Sequence, residues 1–230
     1  MAEAGTALIV GASRGLGLEL VREYLRRGWS VTASERGRSD ALHALADEAE
    51  GRLRVVQVDV ADDKSVAALL RTLEGVRFDL VFVNAGVGSP TDLLEVGAEV
   101  DVRIMHANAV GPARLARLFL PRVTPGTGVI AFMSSTMGSI EEDTAGGWDS
   151  YRASKAALNA YARALAVRHA QPEGVTVLSF NPGWVRTDLG GPHATLEAEE
   201  TVPRLADMVA ARVGSGRHEF LDYDGRTVPW

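Results

Sequence analysis

Short runs of apolar residues recur along the chain, each followed by a longer stretch in which apolar positions return every three or four residues. The runs Ala7–Val10, Ser30–Ser34, Leu53–Val58, Leu80–Asn84, Val129–Ser134 and Val175–Asn181 predict strands, with a further one at Glu219–Leu221. The stretches Leu16–Arg27, Ser39–Ala49, Lys64–Leu73, Glu99–Phe119, Tyr151–His169 and Thr201–Val213 predict helices. Strands that are apolar on both sides and separated by helices of crossover length belong to a parallel sheet covered on both faces. The expected architecture is α/β, a doubly wound parallel sheet of about seven strands with helices on both faces. No repeat, low-complexity tract or linker interrupts the alternation, so residues 1–230 are expected to form one domain. The least regular part, Gly190–Glu200, reads as a loop within a terminal segment spanning roughly 184–230.

Composition narrows the classes of function. The 230 residues are 46% hydrophobic and 23% charged, ordinary globular values, with a formal net charge of -6. An acidic balance without a basic run argues against nucleic-acid or anionic-membrane partners. There are no cysteines, which excludes disulfides, thiol nucleophiles and Cys-ligated zinc and is compatible with the cytoplasm. Met1–Gly5 carries no positive charge ahead of the first strand-like run, so neither a leader nor a membrane span is expected. The five histidines (43, 106, 169, 193 and 218) have no metal-ligand spacing and are expected to be surface or packing residues, with no metal site.

Two clusters suggest chemistry. Lys155 is one of only two lysines against 22 arginines, and it follows Tyr151 by four residues. On a helix these positions share one face. A neighbouring ammonium favours phenolate and would lower the tyrosine pKa towards working pH, giving a general acid and base for an alcohol oxygen. Upstream, the first strand runs into Gly11-Ala12-Ser13-Arg14-Gly15-Leu16-Gly17 and then a helix. Such a loop permits a tight turn and lets backbone N–H groups approach a phosphate, the start of a Rossmann nucleotide-binding fold. About 20 residues beyond it, Glu35 stands where a carboxylate would hold the ribose of NAD, while Arg36, Arg38 and Arg14 suit the 2′-phosphate of NADP. The signals conflict; the arginines favour NADP(H), with NAD(H) as the alternative, and a solvated charge cluster would decide neither.

The ordered set of motifs resembles the short-chain dehydrogenase/reductase family over nearly the whole chain. It comprises Gly11/Gly15/Gly17, Asp59-Val60, Asn84-Ala85-Gly86, Asn108, Ser134-Ser135, Tyr151-x-x-x-Lys155, and Pro182-Gly183 followed by Thr187. Val10 departs from the pattern, since many members have threonine there. The resemblance implies that Asp59 and the Val60 backbone receive the adenine. Asn84, Ala85 and Gly86 would line the cofactor, as would Ser13, Leu16 and Val185, with Pro182, Gly183 and Thr187 at its nicotinamide end. Tyr151 would protonate the carbonyl oxygen, Lys155 would bind the ribose and lower the Tyr151 pKa, and Ser135 would orient the substrate carbonyl, Ser134 being the alternative donor. Asn108 would help to hold a water linking Lys155 to solvent, unless it is a packing amide. The expected activity is NADP(H)-dependent interconversion of a carbonyl and an alcohol by hydride transfer.

Trp148 and Trp184 are large apolar surfaces near the expected substrate pocket, which Met137, Ile140, Val87 and Leu189 could join. Gly190–Ala194 lies where members carry a substrate lid and is short here, suiting an open site or a modest ligand. Phe220–Gly225, Pro229-Trp230 and Arg152–Asn159 look like the C-factor and sniffer-type carbonyl reductase subgroup. By analogy the chain would form a homodimer or homotetramer through the helices of Tyr151 and Asn108. The alternative class is a cofactor-sensing signalling protein with little catalytic role.

Overall fold

The structure, a computed structural model, describes residues 4–88, 92–95 and 97–230, so part of the N-terminal segment read above for a leader lies outside it. Its strands are β1 (Thr6–Val10), β2 (Ser30–Glu35), β3 (Leu53–Gln57), β4 (Leu80–Val83), β5 (Val129–Met133), β6 (Thr176–Asn181) and β7 (His218–Asp222). They form one sheet in the order β3-β2-β1-β4-β5-β6-β7, and every pairing is parallel. The helices are α1 (Gly15–Arg26), α2 (Asp40–Glu48), α3 (Asp63–Thr72), α4 (Ala98–Met105), α5 (Gly111–Phe119), α6 (Asp149–Leu165) and α7 (Ala198–Ala210). No helix among the described residues is long and apolar enough to cross a membrane.

The unbroken apolar runs follow from burial on both sides of the sheet. In β1, Ala7 and Ile9 enter one core, with Leu80 and Phe82 of β4 and the apolar faces of α1 and α7. Leu8 and Val10 enter the other, with Val81, Val83 and the side chains of α3, α5 and α6. A strand with water on one face would have alternated.

Helix boundaries follow local chemistry. Ser39 accepts from Leu42 N at 3.3 Å and caps α2, and the Asp62 carboxylate accepts from Lys64 N at 2.8 Å at the start of α3. A reciprocal capping box between Glu197 and Glu200 starts α7 at Ala198, ahead of the expected Thr201. The single helix expected over Glu99–Phe119 is instead α4, a π-helical turn over His106–Val110, and α5. Pro112 has no N–H for the carbonyl of Asn108 four residues earlier, so the α-helical ladder cannot run through. Pro172 does the same to the carbonyl of Arg168, and α6 ends in a second π-helical turn, Ala166–Ala170.

The chain winds outwards in both directions from the β1/β4 boundary, where the strand order reverses. Loops leaving neighbouring strand ends there diverge and leave a crevice. Gly11, Asn84, Ser134 and Pro182 directly follow β1, β4, β5 and β6 on this edge.

Candidate active site

Two adjoining clefts open along that edge. The first, about 510 Å³, is lined by Gly11, Ser13, Arg14, Gly15, Leu16, Arg36, Asp59, Val60, Asn84, Ala85, Gly86, Tyr151, Lys155, Pro182 and Thr187. These are most of the residues expected to hold the cofactor. The second, about 440 Å³, is lined by Ser135, Met137, Trp148, Trp184, Gly183 and Val185 among others. Gly183 and Val185 line the second cleft, between Pro182 and Thr187, which line both. Leu16, Ser134, Tyr151, Pro182, Thr187 and Leu189 line both clefts, and the Tyr151 ring stands at their junction. Val87 lines the first cleft, whereas Ile140, 79% exposed, lines neither.

Close backbone approach shapes the first cleft. Gly11 has φ +84°, and a Cβ there would lie 2.7 Å from Ala85 Cα. A Cβ on Gly17 would lie 2.0 Å from the Gly11 carbonyl oxygen, so Gly17 seals the loop from beneath without lining the cleft. Asn84 Nδ2 donates to the same carbonyl at 2.7 Å, and Gly11 N donates to Ser34 Oγ at 3.0 Å. Asn84 is thus the brace of the glycine turn. The Asp59 carboxylate accepts from Ala61 N at 2.9 Å and shapes its own turn.

Tyr151 and Lys155 share the inner face of α6 and are 7% and 3% exposed. Lys155 Nζ lies 5.5 Å from the centre of the Tyr151 ring and donates to the Met133 carbonyl at 2.9 Å. Burial pushes the phenol up to about 12, against a smaller opposing effect of the Ser135 hydroxyl. Burial also brings the ammonium down to about 8. The expected depression of the tyrosine pKa is therefore reversed. The cation sits over the ring and hydrogen-bonds a carbonyl of β5, and desolvation of the phenol dominates its shift. Gly138 lets the strand-end loop close on this pair, since a Cβ there would lie 2.8 Å from Lys155 backbone carbon.

The two serines have different hydrogen-bond partners. Ser134 Oγ is buried and donates to Asn159 Oδ1 at 2.8 Å. Ser135 Oγ faces the substrate-side cleft while accepting from Met137 N at 3.1 Å. Asn108 lines neither cleft. Its Oδ1 accepts from Val87 N at 2.7 Å, and its Nδ2 donates to Val87 O at 2.8 Å and to Ser154 Oγ at 3.0 Å. Both amide hydrogens are committed, and the side chain clamps the loop after β4.

Several contributors had no signal in the sequence because their partners are distant in it. Asn181 lines the substrate-side cleft, accepts from Thr136 N at 3.0 Å and donates to Asp222 Oδ1 at 2.6 Å. Asp222 Oδ2 pairs with Arg226 at 2.9 Å, and Arg226 with Glu142 at 2.6 Å. The residue after Ser135 is thereby braced from the end of β7. The segment Gly190–Ala194 is pinned as well. Trp184 Nε1 donates to Gly190 O at 2.7 Å, and Arg186 donates to Pro192 O and Ala194 O at 2.7 and 3.1 Å. Trp148 has φ +56°, left-handed for a bulky residue, after Gly146 and Gly147, also at positive φ. Arg152 holds this turn through Gly147 O at 2.8 Å and Asp143 at 3.2 Å. The indole meets the Tyr151 ring edge-on at 5.7 Å.

Comparison with known proteins gives the family. The family model described as short chain dehydrogenase matches residues 5–197. The C-signal protein of Myxococcus xanthus is 38% identical over 66% of this chain and 92% of its own. A short-chain dehydrogenase/reductase from Burkholderia multivorans, solved with bound NADP, superimposes with a TM-score of 0.93 at 43% identity, covering 99% of this chain and 100% of that one. A carbonyl reductase from Pseudomonas aeruginosa PAO1 in complex with NADP gives 0.90 at 38% identity, over 99% and 100%.

Proposed function

The chain belongs to the short-chain dehydrogenase family, and from that premise we propose that it is an NADP(H)-dependent reductase of small carbonyl compounds. The observation that carries this reading is the junction of the two clefts at Tyr151, with Ser135 on the substrate side and Lys155 on the cofactor side. The residues present fit a dinucleotide. Backbone too tight for any side chain at Gly11 would hold the pyrophosphate, with Ser13 and Gly15. Asp59 and Val60 would receive the adenine, and Arg14 and Arg36 the 2′-phosphate. When bound, the cofactor supplies a hydride to the carbonyl carbon and takes it back in oxidation.

This chain's own residues manage the oxygen. Ser135 Oγ and the Tyr151 hydroxyl face one cleft and donate to the carbonyl oxygen as charge develops on it. A phenol held near 12 keeps its proton at neutral pH, so Tyr151 is an acid ready to complete reduction. Lys155 stabilises the phenolate that results and loses that capacity once it is neutral. The Trp148 and Trp184 rings give the substrate side an apolar wall suited to a modest lipophilic ketone or aldehyde.

Two measurements test the reading. Fluorescence titration should find NADPH bound more tightly than NADH, and NADPH consumption should follow addition of small ketones, aldehydes or quinones. Cofactor binding without turnover on any of them would favour a sensing role. The pH profile gives an independent check. With the Lys155 pKa near 8, kcat/KM for reduction should be level from about pH 6 to 7 and then fall as the ammonium loses its proton. A profile level through pH 9 would remove the ammonium from the mechanism.

A further inference from the structure

Glu35 ends β2, where a carboxylate facing the cofactor would select against a 2′-phosphate. The fold turns it elsewhere. Ser34 and Arg36 line the cofactor-side cleft, and Glu35 between them does not. Strand alternation sends it to the opposite face, where it is 3% exposed. Its Oε2 accepts from Ser39 N at 2.6 Å, and its Oε1 faces His43 Nε2 at 2.9 Å. Nδ1 lies 3.5 Å from Arg38 Nη1.

The same network holds the turn that carries Arg36. Ser39 donates through Oγ to Ser13 O at 2.6 Å, tying the end of the turn to the glycine loop. Arg38 is drawn to Asp40 at 3.2 Å. Arg36 is left as the cation of this turn that lines the cleft.

We propose that Glu35 is a positioning residue for phosphate selectivity: with His43 and Ser39 it fastens the turn Arg36–Ser39 so that Arg36 faces the 2′-phosphate of the cofactor. This rests on the NADP(H) reading above and reverses the sign expected of an acid at the end of β2. Removing a carboxylate that repels phosphate would tighten NADPH, whereas removing one that positions Arg36 loosens it.

The test is titration of NADPH and NADH into the intact protein and its variants, with circular dichroism to establish folding. In Glu35→Ala, NADPH should weaken by about tenfold, the scale of one charge-assisted contact, and NADH by less than about twofold. Glu35→Gln, which still accepts from Ser39 N, should keep most of the preference for NADPH. His43→Leu should move the ratio the same way as Glu35→Ala, and it carries the test should that variant not fold. Tighter NADPH binding by Glu35→Ala, or equal loss of both cofactors, would overturn the proposal. The underlying reading fails separately, if the wild type prefers NADH or if Arg36→Ala leaves the ratio unchanged.

Discussion

Replacing Tyr151 by phenylalanine is expected to lower kcat for ketone reduction by roughly a thousandfold while NADPH affinity stays within about twofold. The substitution removes one oxygen from a ring that is otherwise kept in place. That ring is 7% exposed, edge-on to Trp148 at 5.7 Å and beneath the Lys155 ammonium. Phenylalanine preserves these contacts, so the loss should fall on the proton-transfer step and not on the wall that both clefts share. Stopped-flow mixing with NADPH and a ketone, alongside equilibrium titration, separates the two effects. Turnover that survived the change would take the proton from Tyr151 and assign it elsewhere.

Lys155→Met should lose activity and gain stability. Turnover should drop by about a hundredfold or more, the scale of removing one preorganised charged donor. Stability at pH 7 should rise by roughly 1–2 kcal/mol, because the folded state no longer carries a buried ammonium. The pKa displacement alone would give about 3 kcal/mol, and an unpaired Met133 carbonyl returns part of that. The sign with pH is definite. Below pH 8 both folded and unfolded lysine are protonated, and the folded state bears the full penalty. Between pH 8 and about 10.5 the folded protein has released a proton that the unfolded chain still binds, so wild-type stability recovers with rising pH. The advantage of the methionine should therefore be largest below pH 8 and disappear towards pH 10.5. Urea denaturation of both proteins at matched pH cancels the titrating groups distant from Lys155, and repeating the comparison in a Tyr151→Phe background removes the one in contact with it. A variant no more stable than wild type at pH 7 would mean that the ammonium is hydrated or paired.

The features legible in the sequence were those fixed by local order. All seven strands could be placed because parallel strands buried on both faces read as unbroken apolar runs. Once the strands were placed, Gly11, Asn84, Ser135 and Pro182 had to meet at one sheet edge. What escaped were quantities set by tertiary environment. Glu35 looked like a ribose ligand because spacing along the chain does not tell which face of β2 it occupies. Burial raises the Tyr151 pKa, and neighbouring charge alone would have lowered it. The Asn108 amide is spent on the Val87 peptide and Ser154, contacts that span 21 and 46 residues. The breaks after Met105 and Leu165 did have a local signal, in Pro112 and Pro172, but helical periodicity alone passes over it.

The brace from Asp222 through Asn181 to the residue after Ser135 has a consequence for synthesis. The glycine turn, the Tyr151 phenol and the Lys155 ammonium are all translated before the last strand emerges from the ribosome. The support of the serine loop is supplied from β7 and arrives last. The segments that carry the glycine turn, Tyr151 and Lys155 can therefore be made before the strand that braces Thr136 through Asn181. The order of the serine loop would then depend on the completion of β7.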